Sequence, residues 1–154
     1  MNGEVSNMAK VIAVCKSKKK GTKKEAVREG LIKEDFGLIG DAHADCLTTR
    51  QVSLLAIESI EKMRSLGFNL GPGDFAENIT TEGIDLVHLP IGKRIFIGDE
   101  VTLEVTQIGK ECHAACAIRR QVGECIMPKE GVFAKVVRGG LVKAGDEVKV
   151  RETT

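Results

Sequence analysis

The spacing of apolar residues changes several times along the chain, and each change predicts an element. Met8 to Cys15 is mostly apolar and β-branched, with Val11, Ile12 and Val14, and predicts a first strand. Residues 16–24 follow with six lysines in nine positions. Those charges repel one another and Gly21 adds freedom, so the run reads as a flexible loop. From Glu25 to Gly40 the pattern is broken and punctuated by glycine, with short extended pieces around Val27 and Leu31–Ile32. Gln51 to Gly67 carries helical spacing: Leu54, Ile57, Ile60 and Met63 share a face, Glu58 can pair with Lys62, and Gly67 is a natural stop. Gly71-Pro-Gly73 is a turn, and Asp74 to Thr81 fits either a short helix or an irregular loop.

Beyond Gly83 the period shortens to two. Val101, Leu103 and Val105 face one way while Thr102, Glu104 and Thr106 face the other, as in a half-buried strand. Ile95-Phe-Ile97 precedes it, and the intervening Gly98-Asp99 supplies a hairpin turn. Ile97-Gly-Asp-Glu-Val101 is echoed by Ala144-Gly-Asp-Glu-Val148, which predicts two similar turns entering two similar strands. Val132 to Val137 adds another strand, closed by Gly139-Gly140. The total is a mainly β chain of six to eight short strands with one or two helices. Such a series suggests a closed or partly closed β-barrel, because closure removes exposed edges. No linker interrupts residues 1–154, so one domain is expected.

Composition narrows the function. At 154 residues one aliphatic core can form, and aromatics make up only 3%, with no Trp and no Tyr. Stacking platforms for single-stranded nucleic acid are hard to build from such a set. A net charge of +1 provides no global field toward DNA or a membrane surface. Neither nucleic acid nor membrane is therefore expected as a partner. The first eight residues contain no apolar signal region, and the cysteine count of five is odd. Reduced thiols in a cytoplasmic setting are the expectation.

Reactive chemistry concentrates in Gly109-Lys-Glu-Cys-His-Ala-Ala-Cys-Ala-Ile118 and Gly123-Glu-Cys-Ile-Met-Pro128, which together hold three of the five cysteines. A loop leaving a rigid strand holds a reactive group in place. The Cys112 thiolate would be a soft metal ligand and a nucleophile toward sulfur. Lys110 and His113 favour the anion and Glu111 opposes it. Cys112, Cys116 and Cys125 are candidate metal ligands, and His113 is a candidate proton carrier or a fourth ligand. Their spacing, C-x3-C-x8-C, differs from the usual zinc knuckle. A second constellation is Asp41, His43 and Arg50; Asp and His one residue apart can share a face, and Arg50 can grip a phosphate in a bidentate way. The lysine run, including Lys20 and Lys23, can embrace a phosphate or pyrophosphate. Glu77 and Asn78, between the apolar anchors Phe75 and Ile79, read as a buried hydrogen-bonded turn, or else Asn78 is presented to a ligand.

Taken in order, Gly37-Leu-Ile-Gly-Asp-Ala-His43, Arg50-Gln-Val-Ser-Leu-Leu55, Gly73-Asp-Phe-Ala-Glu-Asn-Ile-Thr80, Leu89-Pro-Ile-Gly92, Ile97-Gly-Asp99, Val105-Thr-Gln107 and Cys112 make the chain resemble the MOSC family. That family is named for the C-terminal domain of molybdenum cofactor sulfurases. The resemblance implies a β-barrel that binds the molybdenum cofactor (molybdopterin) or delivers sulfur to a metal–sulfur centre, with the family's cysteine at Cys112. It also maps the Gly-Asp turn, Arg50 and the Glu77-Asn78 pair onto family motifs, and implies a molybdoenzyme or a cofactor-biosynthesis protein as partner. The family pattern Thr-Gln-Pro-Arg-x-Pro-Cys reads here Thr106-Gln-Ile-Gly-Lys-Glu-Cys112, with Lys110 the nearest cation. The Lys-Glu-Cys-His-x-x-Cys form is similar to short, stand-alone members. The pyridoxal-phosphate desulfurase domain of the full-length sulfurases is missing from this sequence, so pyridoxal phosphate is not expected to bind it. Two alternatives stay open: a molybdenum-dependent reductase of N-hydroxylated compounds fed by a separate electron donor, and a non-enzymatic zinc-stapled or partner-binding barrel.

Overall fold

The computed structural model describes residues 9–20, 22–109 and 130–150. Its strands are β1 (Ala9–Lys16), β2 (Glu25–Val27), β3 (Glu29–Lys33), β4 (Gly37–Leu38), β5 (Val52–Ala56), β6 (Ile79–Glu82), β7 (Arg94–Ile97), β8 (Val101–Ile108), β9 (Val132–Arg138), β10 (Gly140–Lys143) and β11 (Glu147–Val150). One α-helix, α1 (Ile57–Ser65), and a single 3-10 turn, Leu86–His88, complete the described elements.

Seven strands close a barrel in the order β11-β7-β8-β9-β5-β6-β1, with β1 pairing back to β11 through Ala9↔Val148 and Lys10↔Glu147. The expected mainly β barrel is therefore observed. Around the circuit every pair is antiparallel except β5 with β6. Parallel neighbours need a long crossover, and α1 lies within that connection. Strand β2 extends the sheet beyond β1, and β10-β3-β4 form a small separate sheet. The barrel interior is aliphatic, built from residues such as Val14, Leu54, Ile79, Ile95, Leu103 and Val132. A second cluster of Leu55, Ile60, Met63, Leu70, Phe75 and Phe133 packs α1 and the 68–76 segment against the barrel's outer face.

The β7–β8 hairpin forms as the alternation requires, with Ile97↔Val101 at its turn. The echoed turns lie side by side: the Gly98 N–H donates to the Glu147 carbonyl at 2.9 Å. Two expectations need correction. The stretch Gln51–Gly67 is not one helix, because Val52–Ala56 is strand β5 and only Ile57–Ser65 is helical. All five residues of β5 are buried, so the strand shows no alternation. Its Leu54 faces the barrel interior whereas Ile57 belongs to the outer cluster, so their spacing of three is not a helix face. The predicted Glu58–Lys62 pair also gives way to longer-range partners: Glu58 accepts the Gly83 N–H, and Lys62 pairs with Glu130. Within Asp74–Thr81 the chain turns through Ala76 at φ 66° and then enters β6. No helix among the described residues is long and apolar enough to cross a membrane.

Candidate functional site

Strands β8 and β9 end as a pair at Ile108↔Val132, and the Gly109 N–H donates to the Gly131 carbonyl at 2.6 Å. Lys110, Cys112, His113, Cys116 and Cys125 fall between these ends, outside the described residues. The structure does describe the frame from which that segment leaves. On the outer face, the Thr106 hydroxyl lies 2.7 Å from the Thr49 carbonyl and 3.2 Å from the Phe133 carbonyl. This ties the residues before β5 to the rim of β8 and β9. Arg50 is exposed, and its guanidinium carbon sits 6.0 Å from the centroid of the buried Phe133 ring. An arginine held over an aromatic face keeps its donors available while its plane is fixed. On the return side, Glu130 accepts from the Ser59 hydroxyl and from the Lys62 ammonium at 3.0 Å. Helix α1 is thereby pinned to the end of the segment. A cavity of about 390 Å³ opens here, and its carboxylates Glu58, Asp85 and Glu130 are each engaged by Gly83, His88 and Lys62 respectively. Its described lining thus sets three carboxylates beside Lys62 and His88.

Asp41 and His43 do come together, but around a lysine that the sequence concealed. Lys24, the last residue of the lysine run, is buried, and its ammonium lies 2.8 Å from Asp41 Oδ1 with both side chains fully enclosed. Asp41 also accepts the Ser17 N–H and the His43 N–H, each at 3.0 Å. Burial alone would push its carboxyl upward. The Lys24 hydrogen bond, the two backbone donors and the Lys24 charge outweigh burial and hold the carboxyl below its ordinary value. Both oxygens of Asp41 are occupied, so it organises the loop around itself. His43 Nδ1 lies 3.2 Å from the Lys24 ammonium. The run of like charges concealed Lys24, which immediately precedes β2.

Glu77 and Asn78 form the buried turn that the sequence suggested. Glu77 accepts the Gly73 N–H, the Phe75 N–H and the Thr80 hydroxyl. Burial still raises its carboxyl above the ordinary range. Asn78 Oδ1 accepts the Ser53 N–H at 3.0 Å, and its amide donates to the Cys15 carbonyl at 3.2 Å. The side chain thus knits β1, β5 and β6 together from inside the protein. Cys15 lies in the same region, and burial, reinforced by Glu77 and Asp74, pushes its thiol up to about 12. Iodoacetamide at pH 8 should therefore label the exposed Cys46 in the native protein and reach Cys15 only in denaturant. Peptide mass spectrometry reads the two sites separately, and rapid native labelling of Cys15 would contradict this packing.

Lys20 and Lys23 are exposed on the loop after β1. Lys23, with Lys16, Lys18 and Lys19, lines a groove of about 520 Å³ beside β2. The path from β9 to β2 crosses β5, β6 and β1, four strand intervals or about 19 Å along the sheet. Along the sheet, Arg50 over β9 and the lysine loop beside β2 belong to strands four intervals apart.

Comparison with solved structures places this architecture among known barrels. The YuaD protein from Bacillus subtilis superposes with a TM-score of 0.78 at 18% identity, covering 96% of this chain and 97% of that one. YiiM from Escherichia coli matches with a TM-score of 0.66 at 18% identity, over 96% and 71% of the two chains. YiiM from Geobacillus stearothermophilus gives 0.68 at 18% identity, over 94% and 75%. At such identities the likeness establishes the fold alone. No curated protein sequence matches the chain. The MOSC domain model matches residues 39–149, well over half of the sequence and all but the first of the barrel strands, so this chain belongs to the MOSC domain family, which is associated with the molybdenum cofactor.

Proposed function

We propose that this domain binds the molybdenum cofactor and handles its sulfur or metal ligand through the thiolate of Cys112. The observation that carries the reading is Arg50: an exposed guanidinium over Phe133, near the rim where the cysteine-bearing segment leaves β8 and rejoins β9. The cofactor's anionic end requires a cation of this kind, with donors in a planar fork, and the described residues fit it there. Its thiophilic end requires a soft ligand, and the chemistry of a cysteine thiolate matches.

In this reading Arg50 holds the phosphate, and Cys112 meets the metal or its sulfur. When bound, the cofactor supplies the metal–sulfur centre. The chain's own residues bind, orient and shield it. Thr106 and Phe133 fix the backbone and plane of Arg50, and the Ser59–Lys62–Glu130 bonds fix the return end of the segment. In this reading His113 moves a proton at Cys112, and Lys110 favours the thiolate. Cys116 and Cys125 serve as second ligands or as resolving thiols.

The test is to load purified protein with the cofactor and measure retained molybdenum by elemental analysis and retained pterin by fluorescence. Cys112→Ser should lose molybdenum while keeping part of the pterin. Arg50→Ala should weaken retention of both by about tenfold, the scale of one charge-assisted contact. Unchanged molybdenum and pterin retention in Cys112→Ser would overturn the reading. One zinc per chain without molybdenum in protein from its native host would favour a structural metal instead.

A further inference from the structure

The lysine groove lies away from the Cys112 frame and is left without a role by the reading above. Strand β2 is the end strand of its sheet. It pairs with β1 through Val14↔Val27, Cys15↔Ala26 and Lys16↔Glu25, and its other edge carries no strand among the described residues. Glu25 and Ala26 are exposed and Val27 is half-buried. A groove of about 520 Å³ borders this edge, and among the described residues its lining contains four lysines (Lys16, Lys18, Lys19 and Lys23) against one carboxylate, Glu25. Lys20 adds a further exposed charge on the same loop.

We propose that this groove docks an extended, acidic segment of a partner protein, which adds to the edge of β2 beneath the lysine loop. An open strand edge is a template for main-chain pairing, and side chains on alternate positions then decide specificity. The lysines supply that specificity by charge complementarity. Their arrangement argues against a compact phosphate pocket. Lys18, Lys19 and Lys23 are exposed, whereas a tightly held single phosphate is gripped by enclosed, converging donors. Nucleic acid fits less well than a peptide: no aromatic side chain lines the groove, so bases have nothing to stack on. Glu25 stands opposite Lys16 at the start of β2, so it repels a carboxylate placed directly over it and sets where along the edge the acidic side chains fall.

The inference stands independently of cofactor binding, and its test uses none. The probe is a fluorescein-labelled ten-residue peptide alternating glutamate and threonine, with the same peptide carrying lysine for glutamate as control. Anisotropy titrations against the full chain should show binding of the acidic peptide that weakens with salt. Lys18→Glu/Lys19→Glu/Lys23→Glu should weaken it at least about tenfold, while far-UV circular dichroism confirms that this surface variant remains folded. Amide exchange at residues 25–27 should slow on binding. Three outcomes would overturn the proposal: no binding of the acidic peptide, equal binding by the triple variant, or equal binding of the lysine peptide. Displacement of the peptide by stoichiometric inorganic pyrophosphate would show a small-anion site instead, and tighter binding of a single-stranded oligonucleotide would show a nucleic-acid site; either result also overturns it.

Discussion

Lys24→Met should lower the unfolding free energy by about 3–5 kcal/mol, the usual consequence of leaving one member of a buried ion pair alone. Lys24 is enclosed together with Asp41 at 2.8 Å, so water cannot replace the lost ammonium. Asp41 would keep its bonds from the Ser17 and His43 amides, which sets the loss below that of a wholly abandoned charge. Lys24→Met combined with Asp41→Asn should recover part of it, since no net charge is then buried, while the single amide oxygen accepts from only one of the Ser17 and His43 N–H groups. The same pair creates a pH dependence. Because the Asp41 carboxyl is held below its ordinary value when folded, its stabilising contribution is complete above about pH 4 and is lost as pH falls through the folded value. Glu77 acts with the opposite sign: its raised carboxyl favours folding while protonated, and that contribution fades as pH rises above its unfolded value. Urea melts between pH 3 and pH 7 should show wild type losing stability more steeply than Asp41→Asn at the acid end. Parallel curves would remove Asp41 from this account.

Gly73→Ala should cost roughly 2–4 kcal/mol, from left-handed strain plus overpacking. Gly73 has φ +85°, and a Cβ built there would lie 2.2 Å from the Lys24 carbonyl oxygen and 3.1 Å from Cys15 Sγ. The nearer neighbour is backbone and cannot swing aside, and the Cys15 thiol is itself buried. The Gly73 carbonyl also accepts the Lys24 N–H at 2.8 Å, and its own N–H donates to Glu77, so a displaced residue 73 disturbs both buried carboxylate systems. Gly92→Ala is the matched control. Its φ is +92°, with nothing within 4 Å of the added carbon, so it should cost only the backbone strain of about 1–2 kcal/mol. Equal melting temperatures for the two variants would show that close approach to Lys24 is not what Gly73 provides.

The barrel was legible where one strand face is wet. The alternation through Val101–Thr106 set the hairpin, and the repeated Gly-Asp turn pointed to two strand entries that prove to be neighbours. It was illegible at β5, because a strand covered on both faces by the core and by α1 loses its period of two and borrows that of the following helix. The Glu77-Asn78 turn could be read from polar residues set between apolar anchors. Lys24 could not, since its partner Asp41 is 17 residues away and it closes a run of lysines that are otherwise at least partly exposed. Nothing local in the sequence brings Arg50 to the rim of β8 and β9; that proximity depends on the Thr106 bridge and the Phe133 ring, which are long-range contacts.

Closure of the barrel through β1 and β11 has a consequence for synthesis. The strand made first waits for the strand made last: Ala9 and Lys10 meet Val148 and Glu147 only when nearly the whole domain has left the ribosome. Until then the nascent chain carries an unzipped seam along Ala9 and Lys10, and the lysine at that seam is the kind of residue that discourages a neighbouring nascent chain from zipping onto it.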